Sequence, residues 1–349
     1  MAGTDGRRRV RAKSSTRSVT MQDVGRAAGV SAQTVSRALS FPEQVSEATR
    51  QRVQRAIEET GYLPNLAASS LASNRSRTIA AILPVISTSV FSDTLRAAAT
   101  RLTPAGYQLI VGYTDYRPER EEDLIRGFIQ RRPDGFFLVG TLHTPETLRL
   151  LRAYGAPIVE TWDWIDDPVD TLVGFSNESA TGDLVRDLVS RGHREIVFAG
   201  TLSSGDARAI RRRDGFAATV RALLPGEPVR IVDLPDRDIS MDTGVALLDA
   251  ALERFPEATA IMFATDVFAA AAVLAAQRRG ITVPDRLAIT GFGDFEMARH
   301  INPALTTVSV DIEEIGTRAA DLLLARLSGA PIANTSVDVG YRIVTRASA

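Results

Sequence analysis

A chain of 349 residues with 44% apolar and 24% charged side chains has the composition of an ordinary globular protein with room for two or three compact units, and none of its apolar runs approaches a membrane span. The lack of cysteine excludes disulfides, thiolate metal sites and thiol nucleophiles together, and suits a reducing compartment. The formal net charge of −1 conceals a division, because residues 1–77 hold 13 basic and 6 acidic side chains and the remainder 28 and 36, the asymmetry expected when one end meets a polyanion.

Residues 1–18 carry Arg7, Arg8, Arg9, Arg11, Lys13 and Arg17 with no apolar segment or cleavage site behind them. They read as a disordered basic tail, not a secretory signal, and a cytoplasmic, nucleoid-associated location is expected. Val19 to Ala28 then reads as a short helix with Thr20 as N-cap, Asp23 in its first turn and Val24, Ala27 and Ala28 as its apolar face. Gly29 supplies a left-handed stop, and Ser31 caps a second helix, Ala32 to Leu39, in which Val35, Ala38 and Leu39 recur at core spacing. That spacing turns Gln33, Thr34, Ser36 and Arg37 outward. Glutamine can bond bidentately to adenine and arginine to guanine, while serine and threonine hydroxyls suit phosphates, so this helix, turn and helix read as a DNA-binding face. A third helix, Glu47 to Thr60, closes the small core through Val53, Ala56 and Ile57. Beyond Pro64, Asn65 caps about two turns of alanine-rich helix with Ala68 and Leu71 on one face; a helix this short is marginal in water without a partner.

From Thr78 the pattern changes to short apolar runs alternating with helical stretches: Thr78–Pro84, Gln108–Tyr113, Gly135–Gly140 and Pro157–Glu160, then Glu195–Gly200, Val229–Leu234, Ala260–Ala264 and Leu287–Gly291. Helices such as Ala180–Ser190 and Val267–Arg279 intervene. Two such series imply two lobes, each a parallel sheet covered on both faces, with a ligand cleft between them beyond the strands' carboxyl ends. A small polar ligand bound there needs charged or hydrogen-bonding partners and an apolar wall. Asp163 and Asp294, near strand ends, are candidate acceptors, and Asp294 reads equally well as the cap of a following helix. Phe91 and Trp162 read either as cleft walls or as core aromatics. His143, His193 and His300 are scattered without metal-ligand spacing, and neither a phosphate-cradling glycine loop with its lysine nor a Gly-x-Ser-x-Gly elbow is present. No catalytic residue, metal or cofactor is expected. His193 reads as a structural hydrogen-bonding residue at a strand entrance.

Val19–Leu39, followed by Val45-Ser46-Glu47-Ala48-Thr49-Arg50 and Gly61-Tyr62-Leu63-Pro64-Asn65, resembles the headpiece of the LacI/GalR family of transcriptional regulators. The likeness continues through Gly192-His193-Arg194, Arg212-Arg213-Asp214-Gly215-Phe216, Ala264-Thr265-Asp266, Ile289 to Asp294 and Pro303 to Val308. Phe91 to Leu95, Arg132 to Gly135, Glu160 to Asp163 and Val173 to Asn177, with Gly293 where an aspartate is more usual, are similar to the gluconate-operon repressor branch. The resemblance implies that Ala32, Gln33 and Arg37 read bases while Thr20, Ser31, Thr34 and Ser36 serve the backbone. It also implies that Asn65, Ala68 and Leu71 belong to a hinge helix in the minor groove, with Leu71 as a wedge. Arg212 matches the effector-binding arginine and Thr265 replaces a frequent asparagine.

The implied fold class is α plus α/β: a three-helix helix-turn-helix headpiece with a hinge helix, then a two-lobed periplasmic-binding-protein-like sensor. Its expected divisions are a tail over 1–18, a headpiece over 19–64, a hinge and linker over 65–77 and an effector and dimerisation domain over 78–349. Within the last, the first lobe is expected at about 78–175 plus 308–349 and the second at about 176–307. The implied partners are near-palindromic double-stranded operator DNA, gluconate or a related sugar acid, and a second copy of the chain; no heptad tail follows Tyr341–Arg346, so a dimer is expected. Another sugar or a purine as effector, a solute-binding protein and an enzyme using the cleft are the alternatives.

Overall fold

The computed structural model describes residues 19–62, 75–86, 89–202, 206–235 and 237–349, and the chain divides into one unit ending at Ser76 and another running from Arg77 to Ala349. The expected basic tail and the hinge residues Asn65, Ala68 and Leu71 lie outside the described residues.

In the first unit, α1 (Met21–Ala28) opens on a reciprocal cap. The Asp23 amide donates to Thr20 Oγ1 and the Thr20 amide to Asp23 Oδ2. Gly29, at φ 65°, ends the helix in the left-handed region that favours glycine. Ser31 caps α2 (Ala32–Ser40) and Ser46 caps α3 (Glu47–Thr60), each side-chain oxygen accepting from the amide three residues on. Val24, Ala28, Val35, Ala38, Val53, Ala56 and Tyr62 form the core, with Ile57 packed on it. Two residues expected on apolar faces do not join it: Ala27 is exposed and Leu39 is 37% exposed. Helices of eight and nine residues present a single narrow stripe, which Val24 with Ala28 and Val35 with Ala38 already fill.

The second unit contains two six-stranded sheets. The first joins β1 (Thr78–Leu83), β2 (Gln108–Tyr113), β3 (Gly135–Val139), β4 (Ile158–Thr161), β5 (Thr171–Gly174) and a late strand, Ser336–Asp338, in the order late strand, β5, β4, β3, β1, β2, all parallel. The second joins β6 (Ile196–Gly200), β7 (Arg230–Asp233), β8 (Ala260–Phe263), β9 (Ala288–Phe292), β10 (Thr306–Ser309) and the last strand, Arg342–Val344. Its order is last strand, β10, β9, β8, β6, β7, with the last strand antiparallel to β10 and the other pairings parallel. The helices of the first lobe are α4 (Ser89–Leu102), α5 (Pro118–Ile129) and α6 (Pro145–Tyr154), and those of the second are α7 (Asn177–Ser190), α8 (Ala207–Leu223), α9 (Met241–Arg254), α10 (Asp266–Arg278) and the short α11 (Glu296–His300). Buried central strands such as Ile79 to Leu83 are apolar throughout, as sheets covered on both faces require.

The division of the lobes differs from the expected one. Residues 308–349 do not all return to the first lobe: α12 (Ile312–Ser328) packs on α4 and the Ser336–Asp338 strand joins β5, but β10 through Ser309 and the Arg342–Val344 strand belong to the second sheet. Two devices cause this. Asp311 caps α12 just after β10, starting the crossing. Ser348 then donates its hydroxyl to Ile289 O (2.6 Å) and accepts from the Thr306 amide (2.9 Å), tying the chain's end between β9 and β10. The chain therefore crosses between lobes three times, after β5, β10 and the Ser336–Asp338 strand. Among the described residues no helix is long and apolar enough to cross a membrane.

Candidate functional site

On α2, Gln33 and Arg37 stand exposed one turn apart, while Ala32, Thr34 and Ser36 are half-buried beside them. The Ser31 and Thr34 hydroxyls lie 2.9 Å apart at the helix start, and Thr20 Oγ1 donates to Asp23 Oδ2 at 2.7 Å. These hydroxyls therefore serve as caps, at helix N-termini whose unpaired amides favour anions. An exposed glutamine and an exposed arginine one turn apart on a capped helix present side-chain donors of the kind that base edges accept.

The second site lies where α8 meets both lobes. A chain of aromatic contacts runs beneath it, from Phe91 to Trp162 (centroids 5.3 Å, edge-on), to Phe175 (6.2 Å) and to Phe292 (6.1 Å, stacked). Trp162 is fixed by its indole N–H donating to Thr94 Oγ1 (3.1 Å). Above this floor is a narrow chamber, partly open to solvent, lined by Phe91, Trp162, Arg212, Thr265, Phe292 and Phe295 among others. A more polar chamber adjoins it, with Thr114, Arg117, Glu121, Thr141 and Asp163 on its walls. Tyr116, Asp206 and Arg208 line both.

Asp206 caps α8, and Arg208 and Arg212 follow one turn apart. Arg212 donates from Nε to Asn177 Oδ1 (2.8 Å) and from Nη1 to Ala264 O (2.6 Å), and its guanidinium lies 3.8 Å from the centre of the Phe292 ring. Burial pushes its pKa down to about 10 although Asp206 pulls the other way. Arg208, only 4% exposed, donates from Nε to Asp206 Oδ1 (3.1 Å) and packs its guanidinium over Phe91 (4.9 Å) and near Tyr116 (5.9 Å). Its Nη1 is buried with no hydrogen-bond partner among the described residues. Burial raises the Asp206 carboxyl, but the charges of Arg208 and Arg212 outweigh it and hold that pKa below the usual value. Burial, and after it the nearby Asp206 charge, raises the Tyr116 hydroxyl far above its ordinary range, so it stays protonated and able to donate.

Of the residues expected in the cleft, Phe91, Trp162, Arg212 and Thr265 line the inner chamber. Asp163 faces the outer one, and its oxygens are already taken: Oδ1 accepts from the Trp164 amide (3.0 Å) and Asn177 Nδ2 (3.1 Å), Oδ2 accepts from Thr141 Oγ1 (2.9 Å), and Oδ2 pairs with Arg211 Nε (2.9 Å). Asp163 is thus an organiser of the site, not an open acceptor. Asp294 lines neither chamber and does not cap the next helix, whose N-cap is Phe295; it is paired with Arg346 Nη2 at 2.6 Å. Sequence reasoning missed Tyr116, Asp206 and Arg208. The four-residue spacing of Arg208 and Arg212 was the available signal, since it places two cations on one helical face. His193 bonds Thr259 Oγ1 (3.2 Å) beside β6, in its expected structural role.

Comparison with known proteins finds matches in both units. Residues 20–65 match the family described as bacterial regulatory proteins, lacI family, and residues 185–349 match the periplasmic binding protein-like domain. The chain is 32% identical over 323 residues to the HTH-type transcriptional regulator GntR of Escherichia coli (strain K12), covering 93% of this chain and 96% of that one. A solved LacI-family transcriptional regulator from Silicibacter pomeroyi is 33% identical, with a TM-score of 0.87 over 95% of this chain and 99% of that one. The lac repressor dimer bound to operator and the anti-inducer ONPF is 26% identical, with a TM-score of 0.80 over 95% and 99% of the two chains.

Proposed function

This chain is a DNA-binding transcriptional regulator of the LacI family, and from that premise we propose that it represses genes of sugar-acid catabolism through an operator affinity set by gluconate or a close relative. The observation that carries the effector class is electrostatic. Arg208 and Arg212 are buried one turn apart on α8, with Arg208 paired to Asp206, on the wall of a cleft whose other surfaces are aromatic rings and hydroxyls. A polyhydroxy acid meets each of these: its carboxylate a cation, its hydroxyls Thr265, Thr201 and the Tyr116 phenol, its carbon face Phe91 and Trp162.

The proposed working form is a homodimer on a near-palindromic operator, with Gln33 and Arg37 of each copy in a major groove. Both the cleft residues of α8 and their first-lobe partners, Phe91, Tyr116 and Asp163, respond to effector, so occupancy sets the relative position of the lobes and through it the DNA-binding units. A coupling of about 1–3 kcal/mol changes affinity by about 5–150-fold. In a fluorescence-anisotropy titration of the regulator's operator, saturating gluconate is expected to weaken binding within that range; an unchanged affinity would remove the ligand and the induction together.

The reading face has its own test. Arg37→Ala is expected to cost about 1–3 kcal/mol at one base pair of each half-site and to relax preference there. An unaltered preference across a library of operator variants would show that Arg37 does not read a base.

A further inference from the structure

We propose that Arg208 takes the effector's carboxylate, with Asp206 as the internal anion that holds Arg208 until the effector arrives. The inference rests on the sugar-acid reading of the cleft and deepens it by assigning the anion to one residue and by fixing the charge of the ligand. Arg212 is committed to the protein: two of its nitrogens donate to Asn177 and Ala264 O, and its face covers Phe292. It is part of the floor. Arg208 differs in having Nε on Asp206 and Nη1 buried without an acceptor among the described residues. A guanidinium presents its donors as a planar fork matched to a carboxylate, and a buried donor left open is costly until an acceptor comes from outside.

Around the two chambers Arg117, Arg208, Arg211 and Arg212 stand against Glu121, Asp163 and Asp206, with Arg211 paired to Asp163 at 2.9 Å. One positive charge remains, and a monoanion neutralises it. A neutral sugar or polyol leaves the surplus in place, and a dicarboxylate overcompensates it among buried side chains. Arg208 also stands where the two chambers meet, packed against Phe91 and near Tyr116 of the first lobe while borne on a helix of the second. An anion seated there contacts both lobes at once, which makes Arg208 the point at which ligand identity and lobe position are read together.

The test is calorimetric titration of the full-length protein with gluconate and with sorbitol, its neutral counterpart, in wild type, Arg208→Gln and Asp206→Asn. Arg208→Gln is expected to weaken gluconate about 100-fold and to abolish its preference over sorbitol, as for loss of a buried charge partner. Asp206→Asn keeps a capping side chain on α8 but removes the competing anion, and is expected to tighten gluconate about fivefold with sorbitol unmoved. A merely structural role for the pair would weaken binding in both variants. Far-UV circular dichroism and a thermal melt matching wild type certify folding; should Arg208→Gln fail that control, Arg208→Lys carries the test, with an expected loss of about tenfold because a point charge replaces the fork. Gluconate binding unaffected by Arg208→Gln, or weakened by Asp206→Asn, overturns the assignment and leaves the sugar-acid reading standing. A wild type that binds neither gluconate nor any of idonate, galactonate and glucuronate overturns both.

Discussion

Gly174→Ala is expected to destabilise the Arg77–Ala349 unit by about 3 kcal/mol or more, lowering its Tm by roughly 6–12 °C. Gly174 ends β5 at the first crossing between lobes, and a methyl group there would lie 2.0 Å from the Asp163 carbonyl oxygen and 2.9 Å from its amide nitrogen. Backbone atoms cannot rotate away as the end of a side chain can. Gly174 cannot retreat either, because its own carbonyl accepts from the Val339 amide (2.9 Å) while its neighbour Val173 accepts from the Trp162 amide (3.2 Å). The strain therefore passes to Trp162 and Asp163, hence to the chamber wall and to Asn177, which holds Arg212. Effector affinity should fall with stability. The chain's two tryptophans are Trp162 and Trp164, so intrinsic fluorescence reports this unit directly and should show both the lower Tm and an altered native spectrum. Gly127→Ala is the control. Gly127 is exposed within α5 with nothing near its missing methyl, and alanine there should stabilise by about 0.5–1 kcal/mol. Equal effects at the two positions would mean that helix propensity, and not the contact with Asp163, governs Gly174.

What could be read ahead of the structure depended on how local its causes are. The limits of α1 and the start of α2 were legible from Thr20, Gly29 and Ser31 because each is set by one residue's hydrogen bonding or backbone freedom. The strands at sheet centres were legible from their unbroken apolar runs. β5, β10 and the two strands near the C-terminus were not anticipated as strands, since three or four residues such as Thr306-Thr307-Val308-Ser309 carry too little pattern. The third crossing between lobes was invisible for a different reason: it hangs on Ser348 meeting Ile289 and Thr306, contacts 59 and 42 residues apart in the chain. The same distance rule separates the site residues. Arg212 was found through family likeness, but the carboxylates of Asp163 and Asp294 looked available because Thr141, Asn177, Arg211 and Arg346, which occupy them, are brought there by the fold. Arg208 and Tyr116 lie on different lobes, and nothing short of the folded cleft shows that they share a wall.

Between pH 4 and pH 9 the Arg77–Ala349 unit is expected to lose stability as the pH rises, in two stages with separate origins. Asp266, wholly buried at the start of α10, accepts from Thr307 Oγ1 (2.6 Å) and the Phe295 amide (2.7 Å). Burial pushes its carboxyl up from 3.8 to about 7 against those two hydrogen bonds, with Asp294 nearby adding to the rise and Arg346 opposing it. The native state thus holds a proton that the unfolded chain releases near pH 4, and the advantage vanishes as pH climbs through 7; its full extent is at most about 4 kcal/mol. The second stage belongs to His143. Its ring is buried between Glu121 on α5 (2.9 Å) and Glu160 on β4 (3.2 Å), and although burial alone would lower its pKa, the two carboxylates lift it from 6.5 to about 9. This contribution is complete below pH 6.5 and is lost as pH rises through 9, to the extent of about 3 kcal/mol. Asp266→Asn preserves both hydrogen bonds, the amide donating to Thr307 and its oxygen accepting from Phe295, so it should flatten the profile between pH 4 and 7 and stabilise the unit at pH 8. His143→Gln should act oppositely, removing the dependence above pH 6.5 and destabilising by about 3 kcal/mol at pH 6, because two buried carboxylates lose the cation between them. Urea denaturation followed by tryptophan fluorescence at unit pH steps distinguishes these outcomes. An Asp266→Asn protein whose profile keeps its slope from pH 4 to 7, or a His143→Gln protein indistinguishable from wild type at pH 6, would show that the charge states assigned to these buried groups are wrong.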